Sequence, residues 1–249
     1  ARAQANRVWF HLMGRGLVDP NDDFRTSNPP VNPPLLDALA KDLADHDFDL
    51  RHLIRTIMNS RTYQLSATPN DTNRDDETNF SHALVRPVQA EVLLDAIAQV
   101  TGVPARFCGF PEGTRAGQLP GGAAPRRRGD GGPTEGEQFL KVFGKPVRSL
   151  SCECERSDDA TLNQAFQLIT GELMNRGLSE PDNRLGKLLA ARKTDGEIVE
   201  ELYLAALSRY PSAKELAAAV GFVRKGKGRR AALEDLLWGL LNAKEFLLK

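Results

Sequence analysis

Net charge, long apolar runs and strand-like alternation are all missing from this 249-residue sequence. Its 33 Lys and Arg residues balance its 33 Asp and Glu residues, so no overall field draws the chain towards polyanions. No stretch has the apolar length of a membrane span, and the N-terminal residues contain no signal-peptide core. We therefore expect neither a nucleic-acid partner nor membrane insertion. Because the chain starts at Ala1, we also expect a piece of a longer protein, with any export signal upstream.

Recognised enzyme and cofactor motifs are missing as well. The sequence contains no Gly-x-Ser-x-Gly elbow, no phosphate-binding loop, no dinucleotide fingerprint and no Cys-x-x-Cys-His haem attachment motif. The four histidines, His11, His46, His52 and His82, match no known ligand spacing, so each is interpreted as an ordinary surface or helix-face residue. We predict no cofactor and no metal for this chain. The residues alone name neither a reaction nor a substrate.

Apolar residues recur with helical spacing along most of the chain, which predicts an all-α fold with long irregular loops. In the N-terminal half, residues 2–13 form a first helix that ends at Gly14. A second helix begins at Pro33 or Pro34, and Asp49 caps a third, so that these two form a helical hairpin. A further helix begins at Pro87 and is closed by Gly102.

The C-terminal half also has clear helix signals. Ser157 or Asp158 is the expected cap of a helix that runs to Gly171. Two capping boxes follow, formed by Thr194 with Glu197 and by Ser212 with Glu215. Residues 232–248 are apolar on most sides around Trp238. This last segment is therefore expected to be central to the bundle or covered by a neighbouring domain.

Composition divides the chain into an N-terminal helical half (1–102), a flexible Gly-, Pro- and Arg-rich connector (103–138) and a C-terminal helical half (139–249), or one integrated domain. The connector gains too little burial to offset its ordering entropy. Its three consecutive arginines, Arg126 to Arg128, are interpreted as a solvated basic loop in preference to an anion site. The polar run 66–81 is expected to be a surface loop that buries almost nothing.

The densest group of reactive side chains is Cys152, Glu153, Cys154, Glu155 and Arg156. Two thiols could bind a soft metal, but a closed zinc site needs four ligands and Cys108 is the one other cysteine. In an oxidising compartment Cys108 could instead form a disulfide with Cys152 or Cys154. The acids and the arginine could equally form a salt-bridged helix entrance. The residues leave these alternatives open.

A set of short motifs spread over nearly the whole chain resembles the planctomycete secreted domain one family, a domain of unknown function. The motifs are Asn6-Arg7-Val8-Trp9, Gly14-Arg15-Gly16-Leu17-Val18, Asp23-Phe24, Pro34-Leu35-Leu36-Asp37, Ser60-Arg61-Thr62-Tyr63-Gln64, Gly113-Thr114-Arg115-Ala116, Gln118-Leu119-Pro120, Phe143-Gly144-Lys145-Pro146, Cys152-Glu153-Cys154-Glu155-Arg156-Ser157, Leu207-Ser208-Arg209-Tyr210-Pro211 and Asn242-Ala243-Lys244-Glu245-Phe246. Residues 121–138 depart from the family pattern by their length and their Gly and Arg content.

The resemblance implies a context more than a mechanism. Such domains sit near the C-terminal end of large exported bacterial proteins, behind a companion domain of unknown function and often a cytochrome c-like module. A periplasmic or cell-surface location is oxidising, which favours the disulfide over the metal interpretation of the cysteines. The family supplies no established catalytic residues to carry over.

Two functional hypotheses follow. In the first, the chain is a structural or interaction module that packs on companion domains of the same polypeptide and binds a carbohydrate or protein partner. An uncovered apolar patch at the C-terminal helix would mark it. In the second, the chain is an accessory part of an exported redox or hydrolytic enzyme. Its candidate residues are Cys152, Glu153, Cys154, Glu155, Arg156 and Arg115, and a cleft in which they converge would mark it.

Overall fold

The computed structural model describes residues 1–120, 132–146 and 161–248. Within these ranges every regular element is helical, and the one β-type pairing there is an isolated antiparallel bridge between Pro87 and Leu248. The predicted all-α fold is therefore confirmed. The helices pack into two units, which we name the first unit (residues 1–86) and the second unit (residues 87–249).

Helix bounds follow the chain order. The described part of the first unit contains α1 (Arg2–Met13), α2 (Pro33–Asp45) and α3 (Leu50–Met58). The described part of the second unit contains α4 (Ala90–Thr101), a 3-10 turn (Ala116–Gln118), α5 (Glu135–Val142), α6 (Leu162–Thr170), α7 (Glu172–Ser179), α8 (Arg184–Ala190), α9 (Asp195–Leu207), α10 (Ala213–Lys225), α11 (Arg229–Leu241) and α12 (Lys244–Leu247). None of the described helices combines the length and apolar character that crossing a bilayer requires.

The helices of the first unit begin and end where local chemistry dictates. Gly14 adopts a left-handed conformation, φ 91°, and its N–H closes α1 on the Phe10 carbonyl oxygen. Asp49 caps α3 by accepting hydrogen bonds from the backbone N–H groups of Arg51 and His52. The apolar faces enclose a core of Ala5, Val8, Trp9, Met13, Leu17, Val18, Leu36, Leu39, Leu43, Leu53, Ile57 and Phe80.

The irregular segment between α1 and α2 is held by one buried amide. Asn6 is fully buried on α1, and its Nδ2 donates to the carbonyl oxygens of Val18 at 3.0 Å and Asn21 at 2.9 Å. Its Oδ1 accepts from the Val18 N–H at 2.9 Å. A Cβ at Gly16 would lie 2.1 Å from the Val18 carbonyl oxygen, so the loop also requires glycine at that position.

The polar loop 66–81 is mostly exposed but also contributes to the core of the first unit. Phe80 is buried, and its ring meets the ring of Trp9 edge-on with centroids 5.3 Å apart. The expected surface loop is therefore confirmed, and the expectation that it buries almost nothing fails at Phe80. A single aromatic residue in a polar run carries no periodic signal, although it can supply a large buried area.

Helix α11 contributes fully buried residues to the core of the second unit. Leu233, Leu237 and Leu241 are fully buried there, and α11 packs against α7, α9 and α10. Apolar side chains at this spacing line one face of the helix, which agrees with the expected central place of the C-terminal segment. Trp238 lies off this face and is partly exposed.

Part of the predicted connector packs into the second unit. Phe107 and Ala116 are buried in its core, and α5 begins within the connector, capped by Thr134. The helix α4, assigned from sequence to the N-terminal half, also packs with second-unit helices. Packing does not measure which segments fold independently, so the domain limits at 102 and 138 stay predictions. The arginines at 126–128 lie outside the described residues.

Three helix caps test the local predictions. The boxes of Thr194 with Glu197 on α9 and of Ser212 with Glu215 on α10 are confirmed. The predicted cap of α6 is wrong, because the helix begins at Leu162 and its cap is Thr161. Thr161 forms a capping box with Gln164 that satisfies the first backbone donors of this helix, and Ser157 and Asp158 lie outside the described residues.

Candidate functional site

Two of the four histidines come together with an aspartate where α2 passes into α3. Asp42 lies one turn before His46, the residue that ends α2, and His52 lies in the first turn of α3. The chain reverses between them through Asp47 and Phe48, which have φ values of 52° and 60°. A left-handed backbone costs an L-residue about 1–2 kcal/mol, so the reversal is enforced by the surrounding structure.

The three side chains form a close group, the Asp42–His46–His52 cluster. His52 Nε2 lies 3.1 Å from Asp42 Oδ2, and His46 Nδ1 lies 3.4 Å from Asp42 Oδ1. The imidazole rings stack with centroids 3.7 Å apart and an interplanar angle of 16°. His46 Nδ1 also lies 2.8 Å from the Asp42 carbonyl oxygen, which orients the ring. All three side chains keep partial contact with solvent.

Among the residues that the structure describes, this is the one group of three His, Cys or carboxylate side chains close enough to share a metal ion. One nitrogen of each imidazole and one carboxylate oxygen lie within 4.8 Å of one another. Imidazole nitrogen and carboxylate oxygen are ordinary ligands of zinc and related ions. The histidines that the sequence assigns to ordinary surfaces thus include a pair with ligand chemistry.

The second unit carries an exposed apolar surface, which we name the α6–Trp238 surface. Leu162, Phe166 and Ile169 share one face of α6 and are 71%, 54% and 48% exposed. Trp238 on α11 is 37% exposed, and its Nε1–H donates to the Ile169 carbonyl oxygen at 3.3 Å. This contact places the Trp238 indole beside the Ile169 end of the exposed row on α6.

A shallow cleft of about 500 Å³ adjoins Trp238. Asn175, Leu178, Ser179, Glu234 and Asp235 line the rest of it. An indole beside carboxylate, amide and hydroxyl groups combines an apolar ring face with hydrogen-bonding groups. This combination suits a small polar ligand that has an apolar face.

A charged network joins the start of α10 to α12 and to the segment before α10. Arg209 pairs with Glu215 at 2.9 Å and with Glu245 at 2.7 Å, and it lies over the ring of Tyr203. Hydrogen bonds from Arg209 and from Ser212 lower the pKa of Glu215 to about 2. Because each charge is paired within the unit, we interpret this group as a structural clamp on the helix ends.

Comparison with family models shows to which protein family the chain belongs. The model of PSD1, a protein of unknown function (DUF1553), matches residues 1–223. The chain belongs to the PSD1 family. No curated protein and no solved structure matches it. The resemblance found from the short motifs is thereby confirmed, while planctomycete origin and the companion domains of PSD1 proteins stay predictions.

The PSD1 match covers the Asp42–His46–His52 cluster and α6 but ends inside α10. Trp238, Glu234 and Asp235 therefore lie beyond the matched residues, while Asn175, Leu178 and Ser179 of the same cleft lie within them. The family description gives no residue a role, so functional arguments for this PSD1 chain depend on its own geometry.

The reactive segment that the sequence singled out cannot be placed in this geometry. Cys152, Glu153, Cys154, Glu155 and Arg156 lie outside the described residues. Arg115, the sixth candidate, is exposed on the second unit, where its N–H begins the 3-10 turn by donating to Gln118 Oε1. Cys108 is partly buried in the second unit. The disulfide from Cys108 to Cys152 or Cys154, and the enzyme hypothesis, stay predictions.

Sequence reasoning missed the histidine cluster because its residues match no contiguous ligand motif. A usable signal existed in the pattern Asp-x-x-x-His at residues 42–46, since residues one turn apart share a helix face. His52 follows in the first turn of the next predicted helix. The predicted hairpin of these two helices could have placed it beside the pair, but the left-handed turn that sets the distance could not be inferred.

Proposed function

We propose that this PSD1 chain is a helical interaction module whose α6–Trp238 surface packs against another domain of the polypeptide that carries it. The observation that supports the proposal most is the row of Leu162, Phe166 and Ile169, all roughly half exposed or more on one face of α6. An exported location, which the family resemblance implies, belongs to the same proposal.

The energetic argument rests on what these side chains gain when they are covered. Full burial of an exposed large apolar side chain is worth about 1.5–3 kcal/mol, and Leu162, Phe166 and Ile169 are exposed enough for roughly half of this gain or more to be still available. Helix α6 has the sequence LNQAFQLIT and contains no charged residue. Depletion of charge is typical of the core of protein interfaces. The occupant that fits is therefore an uncharged, apolar helix face of another protein domain.

The position of α6 also suits a docking element. It contacts α5 and α7, and Gln164 Nε2 donates to the Val142 carbonyl oxygen at 3.2 Å. Of its apolar residues, Leu168 is buried, so one residue anchors the helix while the row on the other face stays exposed. The helix is thus attached on one side and available on the other.

Site-specific photocrosslinking in the intact natural polypeptide tests this proposal. A benzophenone side chain replaces Phe166, and a matched control places it at Lys187, an exposed position of α8 in the same unit. We expect crosslinks from position 166, mapped by mass spectrometry, to a domain outside residues 1–249, and far fewer from position 187. Crosslinks confined to residues 1–249, or equal yields from the two positions, would contradict the proposal.

A saccharide is a second candidate ligand, favoured by the cleft beside Trp238. The indole could stack on a sugar ring, while Asp235 and Asn175 accept and donate hydrogen bonds to its hydroxyl groups. Sedimentation of the chain with insoluble cellulose, chitin and xylan tests this idea. Binding that is lost in Trp238→Ala and Asp235→Asn but kept in Phe166→Gln supports it. Failure to bind any of the three polymers, or equal loss in Phe166→Gln, argues against it.

A further inference from the structure

The Asp42–His46–His52 cluster is independent of the proposed docking surface and has a chemistry of its own. A carboxylate needs one imidazole partner to form an ordinary hydrogen-bonded pair, yet Asp42 has two within 3.4 Å. The two rings stack on each other and turn nitrogen atoms towards the same carboxylate. Convergence of three potential ligands on one point is what a metal site requires.

The distances between the donor atoms agree with coordination. Ligand atoms that bind zinc tetrahedrally at 2.0–2.2 Å lie about 3.3 to 3.6 Å from one another. His52 Nε2 lies 3.1 Å from Asp42 Oδ2 and His46 Nδ1 lies 3.4 Å from Asp42 Oδ1, and one ligand atom of each residue lies within 4.8 Å of the other two. To receive an ion, the side chains must rotate so that the stacked rings turn their nitrogens towards one carboxylate oxygen.

The backbone around the cluster fixes these positions. The Phe48 N–H donates to the Leu43 carbonyl oxygen at 2.9 Å, and the Asp49 N–H donates to that of His46 at 2.9 Å. These bonds close the left-handed turn, and Asp49 then caps the helix that carries His52. His46 Nδ1 also lies 2.8 Å from the Asp42 carbonyl oxygen, and this nitrogen exchanges that contact for the ion when it coordinates.

We propose that Asp42, His46 and His52 bind one divalent transition-metal ion of the zinc class. Two imidazole nitrogens and one carboxylate oxygen favour zinc, nickel, copper or ferrous iron over calcium and magnesium, which prefer oxygen ligands throughout. Three protein ligands leave a fourth position for water, and the partial exposure of all three side chains gives an ion access. The ion would cross-link the end of α2 to the start of α3.

Calorimetric titration of the metal-free 249-residue chain with zinc tests the site. We expect one equivalent to bind at this site, and we expect Asp42→Asn and His52→Gln each to weaken binding about ten-fold or more. The matched control is Asp37→Asn, the same change on the same helix at a carboxylate paired with Arg2. This control should bind zinc as the unaltered chain does. Circular dichroism verifies that each variant is folded.

Cobalt(II) spectra separate this site from the cysteines. A cobalt ion held by imidazole and carboxylate gives visible d–d bands without the near-ultraviolet charge-transfer bands of a thiolate ligand, and the d–d bands should vanish in Asp42→Asn and His52→Gln. Thiolate bands that persist in folded forms of both variants would assign the ion to cysteine and overturn the proposal. The proposal would also be overturned if zinc neither bound to the chain nor raised its melting temperature, because the cluster would then be a hydrogen-bonded helix junction only.

Discussion

The two units order their irregular segments by different means. In the first unit, the loop between α1 and α2 is held by the amide of Asn6, which makes its hydrogen bonds in a fully buried position. In the second unit, the segment between α4 and α5 is held over its described part by buried apolar side chains such as Phe107 and Ala116. The loop between α1 and α2 thus depends on a buried hydrogen-bonding group, and the segment between α4 and α5 depends on the burial of apolar side chains.

This difference changes how each segment responds to damage. Removing one partner from a buried polar centre causes a large loss of stability, because several backbone groups are left without hydrogen bonds. Apolar packing fails in proportion to the volume that is removed and to how far neighbouring groups can relax. Substitutions at the two centres should therefore separate the two modes of ordering.

The largest effect is expected for Phe107→Ala in the second unit. The Phe107 ring lies so close over α5 that a Cβ at Gly136 would be 2.8 Å from its Cε1. Removing the ring leaves a cavity and should lower the free energy of unfolding by about 4 kcal/mol. Urea unfolding followed by circular dichroism measures this loss.

A control for Phe107→Ala is Leu162→Ala, which truncates an apolar residue that is 71% exposed. Its effect should stay within about 0.5 kcal/mol. If the two variants lost similar stability, apolar burial would not be what orders the segment between α4 and α5.

A smaller but more localised effect is expected for Asn6→Leu. The substitution keeps the γ-branched shape of the side chain but removes the partners of the Val18 N–H and of the Val18 and Asn21 carbonyl oxygens. Unsatisfied groups in this buried place should cost about 3 kcal/mol. Hydrogen exchange of peptides from residues 14–32 measures the loss of protection directly.

The matched control for Asn6→Leu is Asn73→Leu, which removes an exposed amide that donates to the Ser81 carbonyl oxygen. We expect its loss to be under about 1 kcal/mol, because water can replace an exposed partner. Unchanged exchange at residues 14–32 in Asn6→Leu would show that the loop is ordered without its polar centre.

Sequence patterns predicted the elements of this fold better than they predicted its loops. Helix ends marked by Gly14, Asp49 and the capping box of Thr194 with Glu197 lie where local backbone chemistry places them. Such signals involve residues within one turn of each other. Asn6 and Phe80 act across longer separations, and nothing in their local sequence distinguishes them from exposed residues of the same type.

The candidate sites show the same limit. The apolar C-terminal helix pointed to an exposed surface near Trp238, but most of the exposed area belongs to α6, where helical spacing alone does not distinguish an exposed apolar row from a buried one. The pairing of His46 with His52 depends on a turn through two non-glycine left-handed residues, which sequence patterns disfavour. The geometry of the proposed metal site thus arises where the chain departs from its local preferences.

The two units also differ in how they stabilise ionised carboxylates. In the first unit, hydrogen bonds from the Ser81 hydroxyl and the Asn79 backbone lower the pKa of Asp76. In the second unit, the guanidinium of Arg209 is the main cause of the lowered pKa of Glu215. Neutral donors and a cation stabilise the same charged form, but only the cation is screened strongly by salt.

The smallest expected effect is a change in acid sensitivity on replacing Arg209 with Gln. The folded-state pKa of Glu215 is about 2, below its ordinary value of 4.5, so its ionised form contributes stability that is complete above pH 4.5 and is lost as the pH falls towards 2. The unaltered chain should therefore lose more urea resistance between pH 6 and pH 3 than Arg209→Gln does.

The control is Arg224→Gln, which replaces an exposed arginine in the last turn of α10 and should keep the full pH dependence. Adding 0.5 M salt should narrow the gap between the unaltered chain and Arg209→Gln, since it weakens the ion pairs of Arg209 but not the hydrogen bonds to Asp76. An identical pH dependence in Arg209→Gln and the unaltered chain would show that the cation does not hold the carboxylates of this unit.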